Sequence, residues 1–339
     1  IPRARPRCLR SGEGRVGHLG PGEGEGWKVK VSVICTVWNE AQAIEPLLAS
    51  LEAQRRAPDE VIIADGGSTD GTLAILAAWA ESGRFPLRVL ERPGSNISQG
   101  RNAAIAAATG DVVAVTDAGV RIEPGWLEAL LRPFETQERG HFVAAVAGWF
   151  VAGPQTLFET ALGATVLPHL REIKPETFLP SSRSVAFRKA AWEAIGGYPE
   201  WLDYCEDLIL DLRLRDLYGP FAFAPEAVVY FRPRESLGAF VKQYYRYARG
   251  DGKADLWRRR HFIRYTTYLV LAPAVLILAL LHSPWWWLAA LVGAAAYLAT
   301  PYRRLVPMLA PYGPARRLWA LVLVPALRVA GDLAKMAGY

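Results

Sequence analysis

Short apolar runs alternate with segments of helical periodicity along the first third of the chain, and this alternation constrains the fold more than any other feature. The apolar runs are nearly continuous, which is typical of strands buried on both faces. The predicted strands are Val29–Val37, Glu60–Asp65, Leu87–Glu91 and Asp111–Asp117, and the predicted helices are 43–53, 72–82, 98–108 and 124–134. The pattern predicts an α/β fold with a mainly parallel sheet that carries helices on both faces.

Polar side chains stand where these predicted strands end. Asn39 and Glu40 follow the first strand, Asp65 closes the second, and Asp117 closes the fourth. Ligands of parallel sheets bind outside the carboxyl ends of the strands. We therefore expect these side chains to converge on one rim and to form a binding site there.

Beyond residue 143 the pattern is less regular. It predicts helices at about 189–194 and 207–217, two short strands at 221–224 and 227–231, and a loop at 180–184. Residues 237–250 are predicted to form an amphipathic helix that is rich in aromatic and basic side chains.

The composition changes after residue 252, where two long uncharged segments follow each other. Tyr265–Leu281 and Trp285–Thr300 are separated only by a short turn, and basic clusters flank the pair on its outer sides. This distribution favours a membrane hairpin, anchored by tryptophans, over a buried hairpin of a soluble domain. The stretch 318–330 contains Pro325 and Arg328, and either an interfacial helix or a third span fits it.

Charge and cysteine usage exclude several classes of function. The net charge is +6, and no aromatic and basic platform for RNA is present, so nucleic acid is not an expected partner. Cys8, Cys35 and Cys205 form no CxxC pair, which suits a reducing compartment, and the histidines lack zinc-ligand spacing. We interpret residues 1–27 as a disordered extension, 28–252 as the catalytic domain and 253–339 as a membrane-associated helical region.

Six motifs occur in an order and spacing that resemble an inverting, membrane-associated family 2 glycosyltransferase of the GT-A type, over about residues 29–252. These motifs are Thr36-Val37-Trp38-Asn39-Glu40, the turn Asp65–Thr72, Gly100-Arg101-Asn102, Asp117-Ala118-Gly119, Glu206-Asp207 and Gln243-Tyr244-Tyr245-Arg246-Tyr247. The resemblance implies a Rossmann-like GT-A domain and a nucleotide-sugar donor, with a UDP-sugar favoured.

The resemblance assigns the first motifs to the nucleotide. Asp65 would accept the ring N–H of uracil, although an Asp in such a turn also stabilises its own backbone. The other residues assigned to the nucleotide are Thr36, Asn39, Glu40, Gly67, Arg101 and Asp117. For Asn39 and Glu40, helix capping is an alternative role.

Asp117 is the candidate ligand of a divalent cation, Mg²⁺ or Mn²⁺. A departing diphosphate develops charge that such a cation offsets, and both ions prefer oxygen ligands. The family pattern is Asp-x-Asp, but Gly119 occupies the second acidic position here. Phosphate oxygens, water or another residue must therefore complete the coordination. The alternative role for Asp117 is that of a turn residue at the end of the strand, without a metal.

Asp207 is the candidate general base, with Glu206 binding the acceptor or orienting its neighbours. A carboxylate within hydrogen-bond reach can take the proton of an attacking hydroxyl. Asp211, one helical turn further on, is a less favoured substitute. The alternative is a pair of acidic residues that only stabilises a helix N-terminus.

Gln243-to-Tyr247 resembles the Gln-x-x-Arg-Trp motif of membrane-embedded family members, with Tyr247 in place of Trp. The resemblance implies an aromatic acceptor platform and an arginine, Arg246, at the diphosphate. Arg249 could share that task, and Arg183 is expected near the acceptor. An amphipathic helix lying on the membrane explains the same composition.

The sequence thus predicts a metal-dependent inverting glycosyltransferase that moves a sugar from a nucleotide diphosphate to a hydroxyl of a lipid-linked or saccharide acceptor. We expect a multi-pass or hairpin-anchored protein of the cell membrane, in contact with lipid, with a cytosolic catalytic domain. Two alternatives stay open: transfer to polyprenyl phosphate, and a catalytically silent nucleotide-binding scaffold in the membrane.

Overall fold

The protein is described by a computed structural model that covers residues 29–136 and 142–339. The extension predicted for residues 1–27 lies outside the described residues. The strands are β1 Val31–Val37, β2 Glu60–Asp65, β3 Leu87–Glu91, β4 Val112–Val115, β5 Val120–Ile122, β6 Ala145–Ala152, β7 Val185–Arg188 and β8 Ala222–Phe231. The helices are α1 Ile44–Glu52, α2 Thr72–Ser82, α3 Ile97–Ala107, α4 Trp126–Glu135, α5 Leu157–Val166, α6 Lys189–Ala194, α7 Glu206–Tyr218, α8 Leu237–Lys253, α9 Arg258–Thr266, α10 Ala272–Leu281, α11 Trp286–Met308 and α12 Pro314–Gly338.

The strands of the described residues form one mixed sheet in the order β3-β2-β1-β4-β7-β6-β8-β5. The pairs β1–β2, β1–β4, β2–β3 and β6–β8 are parallel. The pairs β4–β7, β5–β8 and β6–β7 are antiparallel. The predicted α/β fold is confirmed, and its parallel half is the N-terminal half that the sequence pattern indicated.

Alternate side chains of each central strand pack on opposite faces of the sheet. Val33 and Ile63 contact α1 and α4 in one buried cluster, whereas Ile34 and Ile62 contact α3 and α7 in the other. A strand that is buried on both faces needs apolar residues at every position, which explains the continuous apolar runs in the sequence. The strand register pairs Val37 with Asp65. Because β4 also runs parallel to β1, Asp117 follows at the same edge, and the predicted rim is confirmed.

The structure differs from the sequence prediction at two places in the irregular region. Strands β6 and β7 occupy stretches that the sequence pattern did not assign to strands. The two short strands expected at 221–224 and 227–231 are one strand, β8. Pro225, which lacks a backbone N–H, interrupts the apolar pattern of the sequence. The strand tolerates it because the register of β8 with β6 shifts between Ala147 and Trp149, so the residues around Pro225 are not regularly paired.

The C-terminal helices include the predicted hairpin. A π-helical turn, Thr267–Leu271, joins α9 and α10 into one helix, Arg258–Leu281, and α10 packs on α11. Within residues 29–136 and 142–339, this is the one helix long and apolar enough to cross a membrane, by length and composition. The second predicted span forms the first part of α11, which continues past Pro301 to Met308.

Helix α12 packs on the α/β domain along its length. Leu327 lies in a buried cluster with Phe240 of α8 and Leu162 of α5, and Val324 lies in a second cluster that includes part of α11. The stretch 318–330 is thus the middle of a long helix that contacts the catalytic domain on one face. Leu318 and Trp319 are exposed on its other face.

Helix α8 lies very close to the turn that precedes α7. A Cβ added at Gly250 would overlap the carbonyl oxygen of Tyr204, whereas a Cβ added at Gly238, on the same helix, would meet nothing within 4 Å. Only the absence of a side chain at Gly250 therefore permits this approach.

We expect Gly250→Ala to lower the free energy of unfolding by about 1–3 kcal/mol, because the new methyl group must displace α8 from the turn. Gly238→Ala is the matched control, and it should leave stability unchanged or raise it by up to about 1 kcal/mol, since Ala is the better helix former. Denaturant unfolding of the two variants in detergent measures both effects. Equal stability of the variants would contradict the close packing of α8 on Tyr204.

Candidate active site

One cavity of about 1150 Å³ extends from the carboxyl ends of the parallel strands to helices α8, α9 and α12. Most of the predicted site residues line it. These are Thr36, Glu40, Arg101, Asp117, Arg183, Glu206, Asp207, Gln243, Arg246 and Tyr247. The fold thus brings together residues as far apart in the sequence as Thr36 and Tyr247, because strand ends, the α7 N-terminus and α8 meet at one edge of the sheet.

Arg101 joins the two acidic motifs. Its guanidinium projects from α3, is 2% exposed, and donates to Glu206 Oε1 at 2.6 Å and to Asp117 Oδ1 at 2.9 Å. Hydrogen bonds between ionised groups in a buried setting are short and directional, so they fix geometry as well as charge. Arg101 was assigned to the nucleotide on sequence grounds, but in the structure its contacts are to the two carboxylates.

Glu206 and Asp207 form the first turn of α7 and have different surroundings. Burial, followed by repulsion from Asp207, raises the pKa of Glu206 to about 7, and Arg101 opposes this shift. Asp207 accepts the N–H of Leu208 at 2.8 Å on Oδ1 and lines the cavity. In the described part of the chain no cation forms an ion pair with Asp207. Glu206 is therefore held in place, while Asp207 has an oxygen available to a ligand.

Asp211 does not share these properties. Its side chain is 2% exposed, and burial together with the charge of Asp207 raises its pKa well above its ordinary value. A buried, protonated carboxyl cannot accept a proton from a substrate in the cavity. The structure thus favours Asp207 over Asp211 as the candidate base.

The turn before α7 is strained and tied to α8. Cys205 adopts a left-handed conformation with φ 65°, which is uncommon for a residue with a side chain. Its Sγ donates to the carbonyl oxygen of Tyr247 at 3.3 Å and lies 3.6 Å from Asp251 Oδ1. Burial raises the pKa of the thiol, so Cys205 acts as a neutral donor. These contacts fix the position of Asp207 relative to α8.

Asp65 has one satisfied and one free oxygen. Its Oδ1 accepts the backbone N–H groups of Gly67 and Ser68, each at 2.8 Å. Its Oδ2 is buried and has no hydrogen-bond partner. A buried acceptor without a partner costs free energy, which a ligand N–H can recover. Gly67 has φ 98°, which this turn requires and which glycine adopts readily.

Asn39 has a structural role in the same turn. Its backbone has φ 56°, its Oδ1 accepts the N–H of Thr69 at 2.8 Å, and its own N–H donates to Ser68 Oγ. Asn39 therefore joins the β1 loop to the Asp65 turn, outside the lining of the cavity. Glu40 does line the cavity, and burial, followed by the charge of Asp117, raises its pKa.

The surroundings of Asp117 fit a divalent cation that takes most of its ligands from elsewhere. Asp117 is 31% exposed, and its Oδ2 lies 3.7 Å from Arg183 Nε. A Cβ added at Gly119 would meet nothing within 4 Å, so this position faces open space. In the described ranges no group of three or more His, Cys, Asp or Glu side chains could hold a metal. Mg²⁺ is commonly held by one or two carboxylates together with substrate phosphates and water, and this donor set matches that pattern.

Helix α8 contributes one face to the cavity. Gln243 Nε2 donates to Tyr247 Oη at 2.8 Å, and the guanidinium of Arg246 lies over the ring of Tyr204. Arg183 lies beside Asp117 and over the ring of Phe231. It was expected near the acceptor, but the structure places it next to Asp117, the candidate metal ligand. Arg249 is exposed and does not line the cavity, so the structure does not bring it to the site.

The cavity also includes residues that sequence reasoning did not assign to it. Arg260, Arg264 and Lys335 line its far end, although the basic residues near 260 were interpreted as charges beside a membrane hairpin. The i, i+4 spacing of Arg260 and Arg264 places them on one face of α9, and this spacing is the signal that identifies them. No comparable signal marks Lys335 in the sequence.

The fold and this cavity define an α/β protein of the GT-A type. Residues 32–193 match the model of glycosyl transferase family 2. The succinoglycan biosynthesis protein ExoA of Rhizobium meliloti is 28% identical over 314 residues, which cover 86% of this chain and 90% of that protein. Residues 32–193 of this chain are therefore a glycosyl transferase family 2 domain.

Two further comparisons agree with this assignment. The pre-mycofactocin glycosyltransferase of Mycobacterium tuberculosis is 30% identical over 249 residues, 67% of this chain and 47% of that protein, so the chain spans about half the length of that relative. The mannosyltransferase PcManGT from Pyrobaculum calidifontis, solved with GDP-Man and Mn²⁺, has a TM-score of 0.55 and 22% identity, and the match covers 94% of this chain and 91% of that one. At this identity the structural likeness shows the fold alone.

The raised pKa of Glu206 leads to a prediction about pH. The carboxyl passes from its neutral to its ionised form as the pH rises through about 7, above the ordinary value of 4.5, and only the ionised form makes the charged contact with Arg101. We expect kcat/KM for nucleoside diphosphate release to fall as the pH drops below about 7, and Glu206→Gln to lose about tenfold in activity and to lack this titration. The exposed Glu193→Gln should keep the wild-type profile. An unchanged acidic limb in Glu206→Gln would show that another group titrates.

Proposed function

We propose that this protein is a metal-dependent inverting glycosyltransferase that moves a sugar from a nucleotide diphosphate, with a UDP-sugar favoured, to an acceptor hydroxyl. One observation carries the proposal. Arg101 links Asp117, at the strand ends, to Glu206, at the start of α7, and leaves Asp207 available in the same cavity. A carboxylate for the donor side and a carboxylate for the acceptor side are thereby held at a fixed separation.

The donor base binds at the Asp65 turn in this account. Asp65 is buried behind Gly66, which lines the cavity, and we assign the N–H of a pyrimidine ring to the unpartnered Oδ2 of Asp65. Such an acceptor selects a base that presents a donor at that position, because a base without one leaves the carboxylate unpaired. Thr36 lies at the end of β1 beside this turn.

The diphosphate lies between Asp117 and the cations Arg183 and Arg246. Asp117 would hold Mg²⁺ or Mn²⁺, which offsets the charge that develops on the leaving diphosphate. Arg183 and Arg246 line the cavity and supply further positive charge to the same group. Arg183, 3.7 Å from Asp117, is thus assigned to the leaving group instead of the acceptor.

Asp207 takes the proton of the acceptor hydroxyl. The acceptor oxygen forms a bond to the anomeric carbon while the bond from that carbon to the diphosphate oxygen breaks, and the configuration inverts. Glu206 contacts Arg101 and not the substrate, so it positions Asp207 and Asp117 relative to each other. Holding the two substrates in line supplies much of the remaining rate enhancement.

The acceptor is proposed to be lipid-linked and to be used at the cytosolic membrane face. The helix Arg258–Leu281 supports membrane association by its length and composition, and α9 at its start lines the cavity. A reactive site that opens beside a membrane-embedded helix suits an acceptor anchored in the same membrane. The name of the relative ExoA, a succinoglycan biosynthesis protein, is compatible with a saccharide acceptor.

The proposal is tested by nucleoside diphosphate release from a panel of UDP- and GDP-sugars with Mn²⁺ or Mg²⁺. We expect release from one donor, and we expect Asp207→Asn to reduce it by roughly 10²-fold or more while nucleotide affinity changes little, because the base contacts the acceptor. Asp216→Asn, an exposed position on the same helix, is the control and should match wild type. Nucleotide binding without turnover of any donor would support the silent scaffold instead.

A further inference from the structure

The cavity of about 1150 Å³ does not end at the candidate base but continues past Asp207 to α9 and α12. We call the part lined by Arg260, Arg264 and Lys335 the basic end. Its residues belong to the C-terminal helices, whereas those of the donor side belong to strand ends.

The basic end holds three cations, of which one is paired with a carboxylate, and Asp251 lines the cavity beside them. Arg264 forms an ion pair with Asp332 at 2.9 Å. Arg260 lies over the ring of Trp257 at 4.1 Å, and the Lys335 ammonium lies over the ring of Tyr244 at 4.6 Å. Over residues 29–136 and 142–339, neither Arg260 nor Lys335 forms an ion pair with a carboxylate. Lys335 is half-buried and Arg260 is exposed at the mouth of the cavity, and cations that lack a paired carboxylate attract an anionic ligand.

Lys335 is a partly buried cation close to a second cation. Burial, followed by the charge of Arg264, lowers the pKa of its ammonium to about 8. A phosphate placed between these side chains would offset the repulsion and favour the charged form of Lys335.

A chain of contacts links the basic end to the turn that carries the candidate base. Asp251 lies 3.6 Å from Cys205 Sγ and 3.2 Å from His261 Nε2, and His261 Nδ1 lies 3.1 Å from Arg264. Cys205 directly precedes Glu206 and Asp207. The basic end is therefore on the acceptor side of the candidate base, next to the turn that positions Asp207.

Helix α9 also separates the basic end from an exposed apolar surface. Arg260 and Arg264 face the cavity, whereas Phe262 and Ile263, on the other side of the helix, are 69% and 54% exposed. The same helix continues through residue 281 as the membrane-span candidate. A single ligand could thus place an anionic group in the cavity and an adjoining apolar chain against the exposed surface of α9.

We infer that the basic end binds the phosphate or diphosphate through which the acceptor saccharide is joined to a long apolar alcohol. The phosphate is an anchor, and the nucleophile remains a sugar hydroxyl beside Asp207. This inference rests on the proposed function and specifies its acceptor class.

The test measures binding of farnesyl diphosphate to the full chain in detergent, with UDP and Mn²⁺ present at saturation so that the donor side is filled. We expect saturable binding that Arg260→Ala and Lys335→Met each weaken at least tenfold. Arg259→Ala removes a neighbouring exposed arginine outside the cavity and should change the affinity less than twofold. UDP affinity should be the same in all of these proteins.

Three further probes separate the possible sources of the signal. Farnesol should not bind at the basic end, and inorganic diphosphate should bind at least tenfold more weakly than farnesyl diphosphate. Equal binding of inorganic diphosphate would show a general anion site and overturn the lipid part of the inference. Transfer of sugar directly onto farnesyl phosphate would overturn the anchor role, because the phosphate would then be the nucleophile.

The remaining outcomes are equally decisive. Farnesyl diphosphate binding that both variants leave unchanged would overturn the site assignment. If UDP binds and donor turnover persists, but farnesyl diphosphate does not bind, the inference fails while the proposed function stands. Failure of both UDP and GDP to bind would instead contradict the proposed function.

Discussion

The buried guanidinium of Arg101 is the interaction on which the rest of the site depends. It connects Asp117, which closes a strand of the parallel half of the sheet, to Glu206, which opens a helix that follows the antiparallel half. Taking three charges out of water is unfavourable unless they pair closely, so each group restricts the position of the other two. The distance between the metal candidate and the candidate base is consequently set by one side chain.

The C-terminal helices extend this constraint beyond the α/β domain. Cys205 contacts Tyr247 and Asp251 on α8, α8 packs on α12, and α9 carries His261, which contacts Asp251. The basic end of the cavity is therefore built by the helices that also present the exposed apolar surface. The proposed function accounts for this close joining of the α/β domain to apolar helices.

The sequence predicted the features that depend on local patterns. Continuous apolar strands placed Asp65 and Asp117 at one edge, and the acidic start of α7 identified Asp207. It did not predict that Arg101 contacts both carboxylates, because Arg101 and Glu206 are separated by more than a hundred residues and only the folded chain brings them together. Strands β6 and β7 were missed because they lie outside the regular alternation of apolar runs and helical segments in the first third of the chain. Arg260 and Arg264 were interpreted as charges flanking a membrane hairpin, because apolar segments follow them. Their i, i+4 spacing already placed them on one face of a helix.

A double-mutant cycle between Arg101 and Glu206 tests the central claim most directly. The quantity to measure is kcat/KM for nucleoside diphosphate release by Arg101→Met, Glu206→Gln and the double variant. If Arg101 acts through its pairing with Glu206, the double variant loses little more activity than Arg101→Met alone, and the coupling energy is about 1 kcal/mol or more. Losses that multiply would show that the two residues act independently, and that the bridge between the acidic motifs does not organise the site.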